Sequence, residues 1–136
     1  NRDIRVILPL HPRTRKAIEA AGLSLEVDVI DPVGYLESLW LLQHCDLVVT
    51  DSGGMQKEAY FHAKYCLTLR DTTEWSELVE VGASILVGTD ADKITHEACA
   101  RLGTQVAYSS DLYGGGNASG RILEDIEGWS DGIYGA

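Results

Sequence analysis

A turn rich in small residues near the middle of the chain has the residue types of an anion-binding site. Ser52, Gly53 and Gly54 follow the apolar run Leu47–Val49, which is typical of a strand buried on both faces of a parallel sheet. The two glycines permit a tight turn, and a helical pattern begins at Met55. Because the first N–H groups of a helix have no intrahelical partner, we expect this turn to bind an anion, with the Ser52 hydroxyl as a further donor. The alternative is an ordinary strand-to-helix turn in which Ser52 is only the N-cap.

Glu58 lies about one helical turn beyond Gly54 in the predicted helix. At a rise of about 1.5 Å per residue the two residues are ~6 Å apart. This is about the span from a phosphate group to the far hydroxyls of its ribose, so Glu58 is a candidate acceptor for those hydroxyls. The alternative is a solvated helix residue that pairs with Lys57 or His62.

Length and charge restrict the class of protein. The chain has 136 residues and a mass of 14.8 kDa, which predicts one domain. Its net charge of −10 argues against a nucleic acid or an anionic membrane as the main partner. No apolar stretch approaches the ~20 residues that span a bilayer. The start at Asn1, already running into a strand, suggests a fragment of a longer protein.

The cysteines and histidines do not form a metal-binding pattern. The three cysteines are an odd number without C-x-x-C spacing and indicate reduced thiols in a cytoplasmic protein: Cys45, Cys66 and Cys99. Three histidines lie within helical patterns without the spacing of metal ligands: His44, His62 and His96. We therefore predict no metal and no cofactor.

Apolar patterns alternate between strand and helix along the chain. The predicted strands are Ile4–Pro9, Leu25–Ile30, Leu47–Val49, Cys66–Leu69 and Ser84–Val87. The predicted helices are Arg15–Ala21, Gly34–His44, Met55–His62, Trp75–Val81, one capped by Thr89-Asp90, and Ala118–Glu127. This alternation predicts an α/β fold with one doubly wound parallel sheet, whose ligands lie beyond the carboxyl ends of the strands. We expect a domain over residues 1–128, with Gly114–Asn117 as a flexible loop, and a loose tail over residues 129–136.

Several motifs, taken in order, resemble those of one family. They are His11-Pro12, Asp31–Leu36, Thr50–Gly54, Gln56–Ala59, Leu69–Glu74 and Tyr113–Gly116. Together they resemble the non-hydrolysing UDP-N-acetylglucosamine 2-epimerases over about residues 4–127. The most specific pair is Thr-Asp-Ser-Gly-Gly with its following glutamate and Arg-Asp-Thr-Thr-Glu.

The resemblance implies a Rossmann-like domain that is one half of a two-domain GT-B arrangement. This chain looks like the C-terminal half, which holds UDP in that family. The resemblance assigns Ser52, Gly53 and Gly54 to the diphosphate and Glu58 to the ribose hydroxyls. It also places His11 in a motif that faces the cleft between the domains.

The resemblance also implies a reaction. Such enzymes interconvert UDP-N-acetylglucosamine and UDP-N-acetylmannosamine by eliminating UDP and adding it back with C2 inverted. The acid and base carboxylates lie in the N-terminal domain, so no catalytic residue is expected in this chain. The implied partners are UDP or UDP-N-acetylglucosamine and that N-terminal domain, and a homodimer is left open.

The remaining candidate residues keep structural alternatives. Arg70 would grip a phosphate or pair with Asp71 or Glu74. Thr73 and Glu74 would approach the sugar, although Asp71-x-x-Glu74 also resembles a cap for the following helix. His11 would face the cleft or only cap its own helix.

The sequence departs from the family pattern at two places. Ala63-Lys64-Tyr65 replaces the usual Gly-Lys-Pro, which we expect to alter only the entry to the fourth strand. Ser38 replaces a large apolar residue expected near the base. The competing functions are the UDP-sugar-binding half of a GT-B glycosyltransferase and a non-catalytic nucleotide-sugar-binding module.

Overall fold

A computed structural model of the protein describes the backbone of residues 4–134 and the side chains of residues 4–129. The chain divides into two compact units, Asn1–His44 and Cys45–Ala136. Strands and helices alternate in both units, and every described strand pair is parallel. The predicted Rossmann-like α/β class is confirmed.

The first unit contains two strands and two helices. They are β1 (Ile7–Pro9), α1 (Pro12–Ala20), β2 (Asp28–Ile30) and α2 (Tyr35–His44). The two strands pair in parallel with Leu8 opposite Val29. Helix α1 begins three residues earlier than the predicted Arg15, because His11 is its N-cap and Pro12 suits the first turn. Gly22, just past the helix, has a φ of +65°, as its predicted C-terminal role requires.

The second unit contains three strands in the order β3-β4-β5. Its elements are β3 (Leu47–Thr50), α3 (Gly53–Phe61), β4 (Tyr65–Thr68), α4 (Ser76–Glu80), β5 (Ser84–Leu86), α5 (Ala91–Arg101), a 3-10 segment (Ser110–Gly116) and α6 (Ala118–Tyr134). Val48 of β3 lies opposite Cys66 of β4, which lies opposite Ser84 of β5. The carboxyl ends of these neighbouring parallel strands therefore meet at one edge of the sheet.

A small core fixes the helices of the second unit to its sheet. Tyr60 and Leu78 are almost fully buried and pack with Ala83 and Val106. The Tyr60 hydroxyl is satisfied inside this core, because it donates to the carbonyl of Ser109 and accepts from its N–H, both at 3.0 Å. Helix α3 is thereby anchored along its inner face, which fixes the turn at its N-terminus.

Three sequence predictions differ from the structure. The described strands form two sheets instead of one of five strands, because an apolar pattern marks a strand without specifying its neighbour. The predicted loop Gly114–Asn117 lies mostly within the 3-10 segment, whose helical geometry is interrupted by a kink at Tyr113, Gly114 and Gly115. Helix α6 continues to Tyr134 in place of a loose tail, since the helical spacing of Ile122, Ile126 and Trp129 extends past its predicted end. Residues 135 and 136 of that tail lie outside the described residues.

Candidate functional site

The turn between β3 and α3 has the geometry of a capped helix N-terminus. The Ser52 Oγ accepts from the N–H of Met55 at 3.5 Å, so Ser52 is the N-cap. The N–H of Ser52 itself donates to the Thr50 Oγ1 at 3.1 Å. These contacts use the Ser52 hydroxyl as an acceptor and leave its proton available as a donor.

The first two residues of α3 leave N–H donors unused. No described residue accepts a hydrogen bond from the N–H of Gly53 or Gly54. A Cβ added at Gly54 would meet no atom within 4 Å, so this side of the helix end is open. A Cβ added at Gly53 would instead overlap the Glu74 carboxylate. The positive end of the helix dipole therefore faces open space at Gly54, which favours an anion there.

Glu58 lies four residues after Gly54, on the same face of α3. Its side chain is half-buried, and no described residue forms an ion pair or side-chain hydrogen bond with it. The predicted pairing of Glu58 with Lys57 or His62 is not observed among the described residues. The ammonium of Lys57 lies instead 4.1 Å from the ring centroid of Trp75 and 4.2 Å from that of Tyr113.

Arg70 and Glu74 pair with each other in the loop after β4. The Arg70 Nη1 is 2.9 Å from the Glu74 Oε2, and both side chains are partly exposed. The pKa of Glu74 is lowered, chiefly by a hydrogen bond from its own backbone N–H and further by the Arg70 guanidinium. The structural alternative for Arg70, pairing with Glu74, is thus observed. This pairing keeps the Glu74 carboxylate beside Gly53.

Thr73 is committed to the structure of its loop. Its hydroxyl donates to the Gln56 Oε1 at 2.7 Å and accepts from the N–H of Trp75 at 3.2 Å. Neither Asp71 nor Glu74 caps α4 as the sequence suggested, since Thr73 receives the N–H at the start of that helix. A Thr hydroxyl has one proton, so Thr73 has no second donor for a ligand in this arrangement.

Sequence reasoning missed the role of Gln56. Its side chain is only 1% exposed, and its Nε2 donates to the carbonyl of Ser52 at 3.4 Å. Its spacing in the sequence could have indicated that it is buried. Gln56 precedes Ala59 and Tyr60 by three and four residues, so all three lie on one face of the helix, and both of the others are buried. A polar residue on an apolar face predicts a buried hydrogen-bond network.

His11 belongs to the first unit and caps its own helix. Its Nδ1 accepts from the N–H of Arg13 at 3.2 Å, and the residue is exposed. The structural alternative for His11 is therefore observed, while a cleft role stays a prediction.

A depression of about 510 Å³ lies beyond β4 and β5. The carboxylates of Asp71 and Asp90 line it together with Lys93, and Asp90 also accepts from the Lys93 N–H as the cap of α5. Two carboxylates against one ammonium suit a phosphate less well than the open turn at Gly54.

Comparison with protein families matches residues 1–127 to the family described as UDP-N-acetylglucosamine 2-epimerase. The chain is 60% identical over 119 residues to the UDP-2,3-diacetamido-2,3-dideoxy-D-glucuronate 2-epimerase of Pseudomonas aeruginosa, covering 88% of this chain and 34% of that protein. It is 38% identical over 135 residues to the UDP-N-acetylglucosamine 2-epimerase of Escherichia coli K12, covering 93% of this chain and 36% of that enzyme.

The fold matches a solved epimerase. The crystal structure of the Methanocaldococcus jannaschii UDP-GlcNAc 2-epimerase in complex with UDP-GlcNAc and UDP superposes with a TM-score of 0.79 and 38% identity. The match covers 92% of this chain and 36% of that one. The chain thus spans about a third of the length of the relatives that it matches. No helix among residues 4–134 is long and apolar enough to cross a membrane.

Proposed function

This chain belongs to the UDP-N-acetylglucosamine 2-epimerase family, and we propose that it forms the UDP-binding part of a UDP-sugar 2-epimerase. The observation that carries the proposal is the pair of unused N–H donors at Gly53 and Gly54, with open space beside Gly54. Glycine at the second position of a helix lowers helix stability, and no described atom approaches closely enough to require it. A ligand that packs against the backbone explains it.

The nucleotide is proposed to lie along the exposed face of α3. The diphosphate receives hydrogen bonds from Gly53, Gly54 and the Ser52 hydroxyl. The Glu58 carboxylate, one turn further on, accepts hydrogen bonds from the two ribose hydroxyls. Its lack of any other described partner supports this role, because an unpaired half-buried carboxylate gains most from new donors.

The loop after β4 is proposed to face the phosphate and the transferred sugar. Arg70 uses donors other than the one bonded to Glu74 to contact the diphosphate, since a guanidinium has five N–H groups. Glu74 lies against Gly53 and is proposed to accept from the sugar. Thr73 contributes by packing and through its place in the loop, because its hydroxyl is bonded within the protein. His11 is proposed to face the cleft towards the N-terminal domain.

The chemistry is proposed to require groups outside this chain. Proton removal and return at C2 need a positioned acid and base, and the residues assigned here hold the nucleotide. We propose that a Rossmann-like N-terminal domain completes a GT-B enzyme and supplies those groups. The complete enzyme would interconvert UDP-N-acetylglucosamine and UDP-N-acetylmannosamine by UDP elimination and re-addition, with a homodimer left as a prediction. Family membership does not favour the glycosyltransferase or non-catalytic alternatives.

A second sugar is favoured by one observation. The 60% identical relative is named for UDP-2,3-diacetamido-2,3-dideoxy-D-glucuronate, whereas the named UDP-N-acetylglucosamine enzyme of Escherichia coli is 38% identical. Both sugars carry UDP, so the proposed nucleotide site serves either. Product analysis of the complete enzyme with each UDP-sugar separates the two candidates.

A cytoplasmic location is also proposed. Cys99 is an exposed thiol on α5, and exposed thiols persist in reducing compartments.

The substitution Gly54→Ala tests the proposed phosphate site. Since a Cβ at Gly54 meets nothing within 4 Å, the variant should be as stable as the wild type or up to about 1 kcal/mol more stable. UDP affinity measured by calorimetry should fall at least about tenfold, because the methyl group occupies the space next to the phosphate. Uridine affinity should not change.

Gly128→Ala is the matched control. Gly128 is also helical with open space at its Cβ, but it lies in α6. It should gain similar stability and keep wild-type UDP affinity. Wild-type UDP binding by Gly54→Ala would place the phosphate elsewhere and contradict the proposal.

A further inference from the structure

The Gln56 side chain connects the two loops that contain the proposed nucleotide and sugar contacts. Its Oε1 accepts from the Thr73 hydroxyl at 2.7 Å, and its Nε2 donates to the Ser52 carbonyl at 3.4 Å. At 1% exposure it is shielded from water, so these protein partners replace solvent. One amide group therefore spans from the turn before α3 to the loop after β4.

Side chains make the connection because the backbone ladder ends earlier. The last backbone hydrogen bond between β3 and the chain after β4 runs from the Leu69 N–H to the Thr50 carbonyl at 2.9 Å. Beyond it, the described links are the Thr73–Gln56–Ser52 bridge and the Trp75 indole N–H, which donates to the Gly53 carbonyl at 2.9 Å. The distance between the two loops thus depends on side-chain hydrogen bonds.

We propose that Gln56 is a positioning residue for nucleotide binding, acting through Ser52 and Thr73 without touching the ligand. The inference rests on the proposed function, because it assumes that the Ser52–Gly54 turn holds the diphosphate. A primary amide suits this position because it both accepts from Thr73 and donates to Ser52. A carboxylate could keep the first contact only, and it would repel the Ser52 carbonyl oxygen. The amide holds the turn and the loop at the separation that the diphosphate requires, since small displacements of contact groups weaken binding.

Gln56→Met tests the inference with little change in side-chain volume. The variant removes both side-chain hydrogen bonds. The Ser52 carbonyl still accepts from the backbone N–H of residue 56, but the half-buried Thr73 hydroxyl loses its acceptor, so the variant should be less stable in urea unfolding. If Gln56 positions the turn, UDP affinity should fall roughly tenfold, the effect of about one lost charge-assisted hydrogen bond. Uridine affinity, followed by NMR titration, should stay the same because uridine lacks the phosphates.

Tyr60→Phe is the control for loss of stability alone. It lies on the same buried face of α3 and also removes two hydrogen bonds from a buried group, here to the backbone of Ser109. It should lower stability and leave the ratio of UDP to uridine affinity unchanged. Amide hydrogen exchange without ligand gives a second measurement. Exchange at Met55 and Trp75, whose N–H groups donate to the Ser52 Oγ and the Thr73 Oγ1, should accelerate in Gln56→Met and not in Tyr60→Phe.

Thr73→Val supplies a second variant if Gln56→Met does not fold. It removes the same bridge from a half-buried position, and UDP carries no transferred sugar for Thr73 to contact. It should reduce the UDP-to-uridine affinity ratio as Gln56→Met does. The double variant Gln56→Met/Thr73→Val should show no further reduction of that ratio.

If the wild type binds UDP and the UDP-to-uridine affinity ratio is unchanged in both Gln56→Met and Thr73→Val, this inference is overturned and the proposed function is left intact. A wild type that does not bind UDP would overturn both.

Discussion

Neutralising Glu58 is the sharpest test of how the nucleotide is held. Glu58 lies on the same face of α3 as Gly54, is half-buried, and has no described ion pair. Glu58→Gln keeps the size and the acceptor oxygen of the side chain while removing its charge. Glu58→Ala removes the acceptor altogether.

The expected loss follows from the two ribose hydroxyls. A hydrogen bond to a charged group contributes about 1.5–3 kcal/mol and a neutral one about 0.5–1.5 kcal/mol, so each bond weakens by about 1 kcal/mol. Two bonds give about 2 kcal/mol, which is roughly a thirtyfold loss of UDP affinity in Glu58→Gln. Glu58→Ala should lose at least as much. Stability should change by less than about 0.5 kcal/mol, since no described contact is lost.

Long-range charge acts in the opposite direction and needs its own control. The protein has a net charge of −10, so removing any carboxylate should slightly favour an anionic ligand. Glu80→Gln makes the same change of net charge at an exposed residue of α4. It measures the effect of net charge on UDP affinity. The difference in UDP affinity between Glu58→Gln and Glu80→Gln then reports the direct contact between Glu58 and the ribose.

Calorimetric titration with UDP and with 2′,3′-dideoxy-UDP completes the assay. The dideoxy ligand should bind the wild type poorly and be almost indifferent to Glu58→Gln, because it lacks the hydroxyls from which Glu58 is proposed to accept. If Glu58→Gln binds UDP normally but melts at a lower temperature, Glu58 is a structural residue and the ribose assignment is wrong.

Two further predictions concern the stability and chemistry of the second unit. Ala63 has a φ of +54°, a left-handed conformation that costs an L-residue about 1–2 kcal/mol. Glycine removes this cost but increases the conformational entropy of the unfolded chain, which offsets part of the gain. Ala63→Gly should therefore raise the free energy of unfolding in urea by about 0.5–1 kcal/mol. Equal or lower stability would show that Ala63 is not strained. Burial raises the pKa of Cys66 to about 11, so at pH 8 only roughly one molecule in a thousand carries the reactive thiolate. A chromogenic disulfide reagent at pH 8 should therefore modify exposed Cys99 first and Cys66 only after unfolding. The reactivity of Cys66 should rise as the pH approaches 11. Equal rates for the two thiols in the folded protein at pH 8 would contradict this prediction.

Local patterns were sufficient to predict the turn at the centre of the proposed site. An apolar run, a capping serine, two glycines and a helical pattern each depend on neighbouring residues only, and β3 and α3 form as expected. The same reasoning placed the cap of α5 at Thr89-Asp90, and in the structure the Asp90 carboxylate accepts from the Lys93 N–H. These features are predictable because capping and helix periodicity are short-range effects.

Contacts between distant segments were not predictable in this way. The Thr73–Gln56 hydrogen bond joins residues 17 apart, and the Trp75–Gly53 bond joins residues 22 apart. Nothing in the spacing of these residues distinguishes an acceptor inside the protein from a ligand, so Thr73 remained a candidate sugar contact. Its hydroxyl is bonded within the protein, which shows that a polar residue in a proposed binding loop can serve the loop itself.

Gly53 and Gly54 differ in what a substitution there would test, the structure of the turn or the proposed ligand contact. A side chain at Gly53 would displace the Glu74 carboxylate, so Gly53→Ala would disturb the Arg70–Glu74 pair whether or not a ligand is bound. A side chain at Gly54 would displace nothing that the structure describes. Loss of UDP binding at Gly53 is therefore ambiguous, whereas loss at Gly54 without loss of stability can be attributed to the ligand. The exposed glycine, with no structural reason to be glycine, carries the stronger evidence about function.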